Sequence, residues 1–203
     1  AAVKIALIDR LSSTGLQTIE ATSFVSPAWV PQLADAAEVY AGIRKLPGVS
    51  YPVLVPNLQG YQRAREVGAT HIAVFSAASE AFNRRNINAS IDESIERFIP
   101  VMEQAQADDV KVRGYVSTVL GCPYQGGVPV ADVVRVARRM HELGCHEISL
   151  GDTIGVGTPA KARAMLHAVA QEIPIAALAV HFHDTYGQAL ANILACLEEG
   201  VRV

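Results

Sequence analysis

Two histidines, His181 and His183, stand one residue apart at the end of the apolar run Ala177-Leu178-Ala179-Val180. A short run of that kind reads as a buried parallel strand. Alternate residues on a strand project to one face. The pair therefore sits at the C-terminal end of a strand, where α/β folds put their active sites. Two imidazoles aimed one way at such a place make half of a divalent-metal site. The plainer reading is two polar side chains at a strand edge, satisfied by backbone and water, and the spacing alone leaves both open. Asp184 and Thr185 follow directly and suit the cap of the next helix. His71, His141, His146 and His167 fall at strand starts or on helix faces and read as structural or solvated.

Other polar residues gather in or after predicted strands. Glu20 and Ser23 lie in one, Asn57 follows the next, and Ser76, Ser79 and Glu80 follow a third. Arg113 and Tyr115 lie inside a fourth, and Ser149 and Asp152 end a fifth. Glu20 stands in an apolar run, and a carboxylate buried there must be paired or neutralised. It reads either as a structural partner, with Arg113 a candidate, or as a carboxylate that positions substrate or a catalytic arginine. Asp152 reads either as a turn former or as a metal-shell or proton-transfer group. Gly155-Val156-Gly157-Thr158-Pro159-Ala160 matches Gly-x-Gly-x-x-Ala, but Pro159 takes the first helical position and no acidic residue stands about 20 residues on. A dinucleotide fingerprint is rejected on those grounds, and the loop reads as a helix cap near an anionic substrate group. Cys122 has no neighbouring histidine and reads as a plain buried or loop thiol. The polar stretch from Ser79 to Asn88 reads as a long loop, either solvated or holding an anionic substrate handle.

The elements that must position these residues alternate regularly. Strands are predicted at 18–24, 51–55, 71–75, 111–119, 147–150 and 177–183, with a seventh beginning at Val201. Helices are predicted at 2–13, 33–45, 58–67, 130–143 and 188–199. Another runs from the capping box Ser90-Ile91-Asp92-Glu93 to Ala107, and one more starts at Pro159 behind Thr158. Such alternation implies βαβ units and a parallel sheet. A (β/α)₈ barrel needs eight strands and roughly 250 residues. The expectation is an α/β, TIM (β/α)₈ barrel, incomplete as given. It is a single domain over residues 1–203 that lacks its first strand and everything past the start of its last. An open doubly wound sheet is the alternative. In a barrel the strand ends converge on one mouth.

Composition narrows the classes. Half of the 203 residues are hydrophobic, ample for one core. The net charge is −3 and the 17 basic residues are scattered, so nucleic acid is not expected as a partner. No run approaches the roughly 18 apolar residues of a membrane span, so no membrane partner is expected. Three cysteines without a Cys-x-x-Cys suit a reducing compartment, and no signal or transit peptide is visible.

Several long segments together carry a resemblance. They are Ile19 to Gln32, Val53 to Leu58, Ser76 to Glu80, Asn86 to Asn88, Val112 to Ser117, Leu120 to Tyr124, Ser149 to Thr158 and His181 to Asn192. They resemble the hydroxymethylglutaryl-CoA lyase family of metal-dependent (β/α)₈ lyases over nearly the whole chain. The resemblance implies retro-Claisen cleavage of 3-hydroxy-3-methylglutaryl-CoA to acetyl-CoA and acetoacetate. It implies a divalent cation, Mg²⁺ or Mn²⁺ ahead of Zn²⁺, held by His181 and His183. It assigns His181, Asp152 and Glu20 to catalysis, and Ser23, Asn57, Arg113, Tyr115 and Ser149 to substrate. An acyl-CoA substrate, a homodimer, and the bacterial cytoplasm or mitochondrial matrix are implied with it. The family's Arg-Asp pair, its glycine-rich loop with the catalytic cysteine and its metal-binding asparagine have no match between residues 1 and 203. Residues 1–203 alone are therefore expected not to turn over substrate. A Claisen-type synthase, a 2-oxo-acid aldolase of the same superfamily, or an inactive barrel fragment remain alternatives.

Overall fold

Helices alternate with short strands through residues 1–203, all of which the computed structural model describes. The strands β1 (Thr22–Ser23), β2 (Val53–Leu54), β3 (His71–Ala77), β4 (Lys111–Ser117), β5 (Glu147–Asp152) and β6 (Leu178–Phe182) lie in the sheet in chain order. The pairs β1–β2, β2–β3, β4–β5 and β5–β6 are all parallel. Strands in chain order joined by helices are the (β/α)₈ topology with fewer than eight strands. A doubly wound sheet would reverse its strand order partway, and this one does not. The chain divides into two compact units, residues 1–74 with 100–112 and residues 75–99 with 113–203.

The first unit holds α1 (Ala2–Ser12), α2 (Ala36–Gly42) and α3 (Leu58–Glu66) beside β1 and β2. The expected strand 18–24 shortens to β1, with an isolated bridge from Thr18 to Ser50 and a bond from Ala21 N to the Pro52 carbonyl at 2.9 Å. Pro52 has no N–H to return, so the ladder cannot run without a break. The expected helix 33–45 splits into a 3₁₀ turn at Pro31–Leu33 and α2. Gly42 lies so close to Ile5 that a Cβ there would meet Ile5 Cδ1 at 2.5 Å, so glycine is what lets α2 approach α1.

The second unit carries the histidines. In α6 (Val130–Glu142) the residues Val133, Val136, Ala137 and Met140 are buried, and in α7 (Pro159–Val169) Ala162, Met165, Leu166 and Val169. That i, i+3, i+4, i+7 spacing is one helical face. α8 (Ala189–Glu198) presents Ala189, Asn192 and Cys196 at equivalent positions, so a polar residue stands in the core row. α4 (Glu80–Ile87) forms where a loop was expected. Ser79 accepts from Phe82 N at 3.1 Å to start it, and Asn88 ends it in the left-handed region at φ 50. α5 (Ile91–Ala107) begins at the expected capping box, with Ser90 and Glu93 each accepting the other's backbone N–H at 3.0 and 2.6 Å. Val180 N donates to the Val203 carbonyl at 2.9 Å, so the chain runs beside β6 again where a further strand was expected to begin.

Candidate active site

Strand register decides which side chains share a face. Tyr115 pairs with Ser149, Ser149 in turn with Ala179, and Gly151 with His181. Paired residues point the same way, as do residues two apart. Arg113, Tyr115, Glu147, Ser149 and His181 therefore line one face, and His183 continues it. The opposite face carries Val112, Gly114, Val116, Ile148, Leu150 and Phe182, and Met140 of α6 packs against it beside Gly114.

His181 and His183 are both exposed, with ring centroids 5.2 Å apart and planes at 59°. Their closeness follows from the period of two. Ser149 stands one strand over, 1% exposed, and its Oγ makes no hydrogen bond. A buried hydroxyl without a partner costs on the order of 1–3 kcal/mol, which makes it a candidate to bind a polar ligand atom. Two imidazoles fit a divalent cation as half of its ligands. Within residues 1–203 no group of three or more His, Cys, Asp or Glu side chains is placed to hold one.

Asp152 is fully buried and its chain position turns it to the other face. Its Oδ2 accepts from Gly157 N at 2.8 Å and its Oδ1 from Val156 N at 3.3 Å. These two bonds make Asp152 a turn former. The loop it holds, Gly155 to Thr158, lines a shallow groove of about 320 Å³ with Tyr186 and Gln188. Thr158 makes no side-chain cap to α7. Arg113 forms an ion pair with Glu147 at 3.0 Å. It shares the histidine face, but its register lies four residues back along β5 from that of His181, about 13 Å at ~3.3 Å per residue.

In the first unit, Glu20 is exposed, so the expectation that burial forces it to pair is corrected. It precedes β1 in extended chain. Ser23 is buried with its Oγ unpartnered, and Asn57 caps α3 by accepting from Gly60 N at 2.9 Å. Cys122 is buried. Burial pushes its thiol up, but the Ser79 hydroxyl, donating at 3.0 Å, and the N–H groups of Gln125, Tyr124 and Phe82 outweigh this and leave it below its ordinary value. Burial raises Cys145 to about 12 and Cys196 to about 11. Sequence reasoning missed Asn192, which is fully buried with both ends of its carboxamide unpartnered. The available signal was its place in the apolar row of α8.

A parallel α/β sheet in chain order, with paired histidines where one strand ends, defines a barrel-type enzyme fold with its site at the strand C-termini. Residues 1–203 match the HMGL-like family throughout, and the chain belongs to that family. It is 63% identical to mitochondrial hydroxymethylglutaryl-CoA lyase of Gallus gallus, over 99% of this chain and 67% of that protein. It is 60% identical to a 3-hydroxy-3-isohexenylglutaryl-CoA/hydroxy-methylglutaryl-CoA lyase of Pseudomonas aeruginosa, over 98% and 67%. The crystal structure of hydroxymethylglutaryl-CoA lyase from Pseudomonas aeruginosa superposes with a TM-score of 0.96 at 60% identity, covering 98% of this chain and 67% of that one. An HMG-CoA lyase from Acinetobacter baumannii in complex with coenzyme A and 3-methylmalate superposes with 0.94 at 37% identity, over 98% and 65%. The chain thus spans about two thirds of the length of these relatives, and 62% of a bovine one.

Proposed function

We propose that the protein cleaves 3-hydroxy-3-methylglutaryl-CoA to acetyl-CoA and acetoacetate, with residues 1–203 forming part of one barrel-type catalytic domain. The observation that carries this reading is the His181/His183 pair at the end of β6, in a chain 63% identical to a hydroxymethylglutaryl-CoA lyase. His181 and His183 would hold a divalent cation, Mg²⁺ or Mn²⁺. When bound, that ion polarises the substrate's oxygens and offsets charge that develops on them. His181 also takes part in proton transfer. The hydroxyl of the substrate loses its proton, the bond to the thioester's α-carbon breaks, and the resulting enolate is protonated to acetyl-CoA. Tyr115 and Ser149, on the same face, orient the acyl group by their hydroxyls, and Ser23, Asn57 and Arg113 complete the substrate contacts. Asp152 serves the reaction by ordering its loop, and Glu20 remains the candidate carboxylate of the first unit. The protein works as a homodimer, in the bacterial cytoplasm or the mitochondrial matrix according to its source.

The test is product analysis with Mn²⁺ and purified protein. Equal amounts of acetoacetate and acetyl-CoA are expected from 3-hydroxy-3-methylglutaryl-CoA. The Pseudomonas aeruginosa relative's name favours a second arm with a longer 3-hydroxyglutaryl-CoA. Cleavage of the longer ester alone would move the substrate assignment while keeping the site.

A further inference from the structure

The loop after β5 is wedged between the second histidine and the core of α8. Gly155, at φ +68, lies so near the chain after β6 that a Cβ would meet the His183 carbonyl at 2.7 Å and Thr185 N at 2.9 Å. The Asp152 carbonyl accepts the N–H of Gly155 at 3.2 Å and that of His183 at 3.3 Å. Asp184 accepts from Ala189 N at 2.8 Å, which ties the start of α8 to the residue after His183. Gly157 closes the arrangement from behind. A Cβ there would stand 2.8 Å from Asp152 Oδ2 and 3.2 Å from Asn192 Nδ2, and would strike Leu120. The amino end of the Asn192 carboxamide and the Asp152 carboxylate thus border the same space, which the missing Cβ of Gly157 leaves open.

Asn192 is a costly residue at this position. α6 and α7 carry Val136 and Met165 at the matching step of their buried rows. Asn192 is fully buried, and neither Nδ2 nor Oδ1 has a hydrogen-bond partner. A leucine of similar size would remove that cost and gain apolar burial. Stability of the fold does not explain the choice.

Building on the proposed metal-binding role of the histidines, we infer that Asn192 is a positioning residue for His183. It acts through the Asp152 carboxylate and the Gly155–Gly157 loop. Its carboxamide dipole acts on Asp152 across that space and holds the carboxylate on the two loop N–H groups. The loop in turn fixes the main chain at His183, and with it the direction of the imidazole. This couples the core of α8 to the site without contact between Asn192 and any ligand.

The experiment compares Asn192→Leu with the unaltered full-length protein by histidine-selective ¹⁵N NMR without metal, and by Mn²⁺ titration. The His183 resonance is expected to shift or broaden while those of His141 and His167 stay fixed. The Mn²⁺ dissociation constant is expected to rise about tenfold, the usual size of a second-layer effect on a metal site. The melting temperature is expected to hold or rise. An unmoved His183 resonance in a folded Asn192→Leu protein would overturn the inference whether or not the protein binds metal. Absence of Mn²⁺ binding in the unaltered protein would instead overturn the metal reading alone. If Asn192→Leu does not fold, Asn192→Ser gives the same readout with less bulk, and Gly155→Ala must displace the same resonance from the other side.

Discussion

At the scale of single residues, the two histidines and Asp152 respond differently to removal. His181 and His183 are exposed, so replacing either with alanine should change stability by no more than about 0.5 kcal/mol. Mn²⁺ affinity should fall with each, and calorimetric titration beside a thermal melt separates the two effects. Asp152→Ala should act mainly on stability, with Mn²⁺ affinity falling as well because the loop that fixes His183 loosens. It leaves the buried N–H of Gly157 and the half-buried N–H of Val156 without their acceptor, at a cost of about 3 kcal/mol. Urea unfolding should show that loss, with part of it recovered in Asp152→Asn, whose carbonyl still accepts one bond. The histidine pair was legible in the sequence because a period of two needs no knowledge of neighbours. Glu20 and Asn192 were not, for the same reason reversed. An apolar stretch does not tell how far each of its residues is buried, and an asparagine in a helix gives no sign of the glycine it packs against.

At the scale of elements, helices with a marked apolar row or a cap were the most legible. α5 starts at its capping box, and α6 ends within a residue of the expected place. Ser90→Ala should destabilise the protein by about 1 kcal/mol, read as a lowered midpoint in urea. Glu93 accepts the N–H of Ser90, and that bond and the Ser90 hydroxyl hold its carboxyl below the ordinary 4.5. A depressed folded value means the stabilisation is complete above pH 4.5 and is lost as the pH falls through the lower folded value. Glu93→Gln should therefore flatten the acid limb of a melting-temperature profile and leave the neutral side little changed. α4 was missed because Glu80, Arg84 and Arg85 make it polar around most of its surface. It is held by its ends, through the Ser79 cap and the Asn88 turn, and by a Glu80–Arg84 pair at 3.8 Å. β1 and β2 came out shorter than expected because a hydrophobic run records burial, whereas a ladder also needs an N–H that Pro52 does not have.

At the scale of the whole molecule, the parallel sheet was legible from alternation alone, whereas its chain order, which separates a barrel from a doubly wound sheet, came from the structure. The reaction was not legible, because folds of this kind host many chemistries, and only the family's long motifs narrowed it. Metal binding should register in global stability. Mn²⁺ at about 100 times its dissociation constant adds ~2.7 kcal/mol to the folded state. For a chain of this length that is about 5–10 °C in melting temperature. The shift should vanish in the His181→Ala, His183→Ala double variant. The most direct test of the central claim is acetoacetate formation from 3-hydroxy-3-methylglutaryl-CoA by the full-length protein, measured against Mn²⁺ concentration in the unaltered and His183→Ala forms. Turnover that rises with Mn²⁺, stops on chelation and falls to background in the folded variant is the expected result. Turnover unchanged by chelation or by the loss of His183 would contradict it.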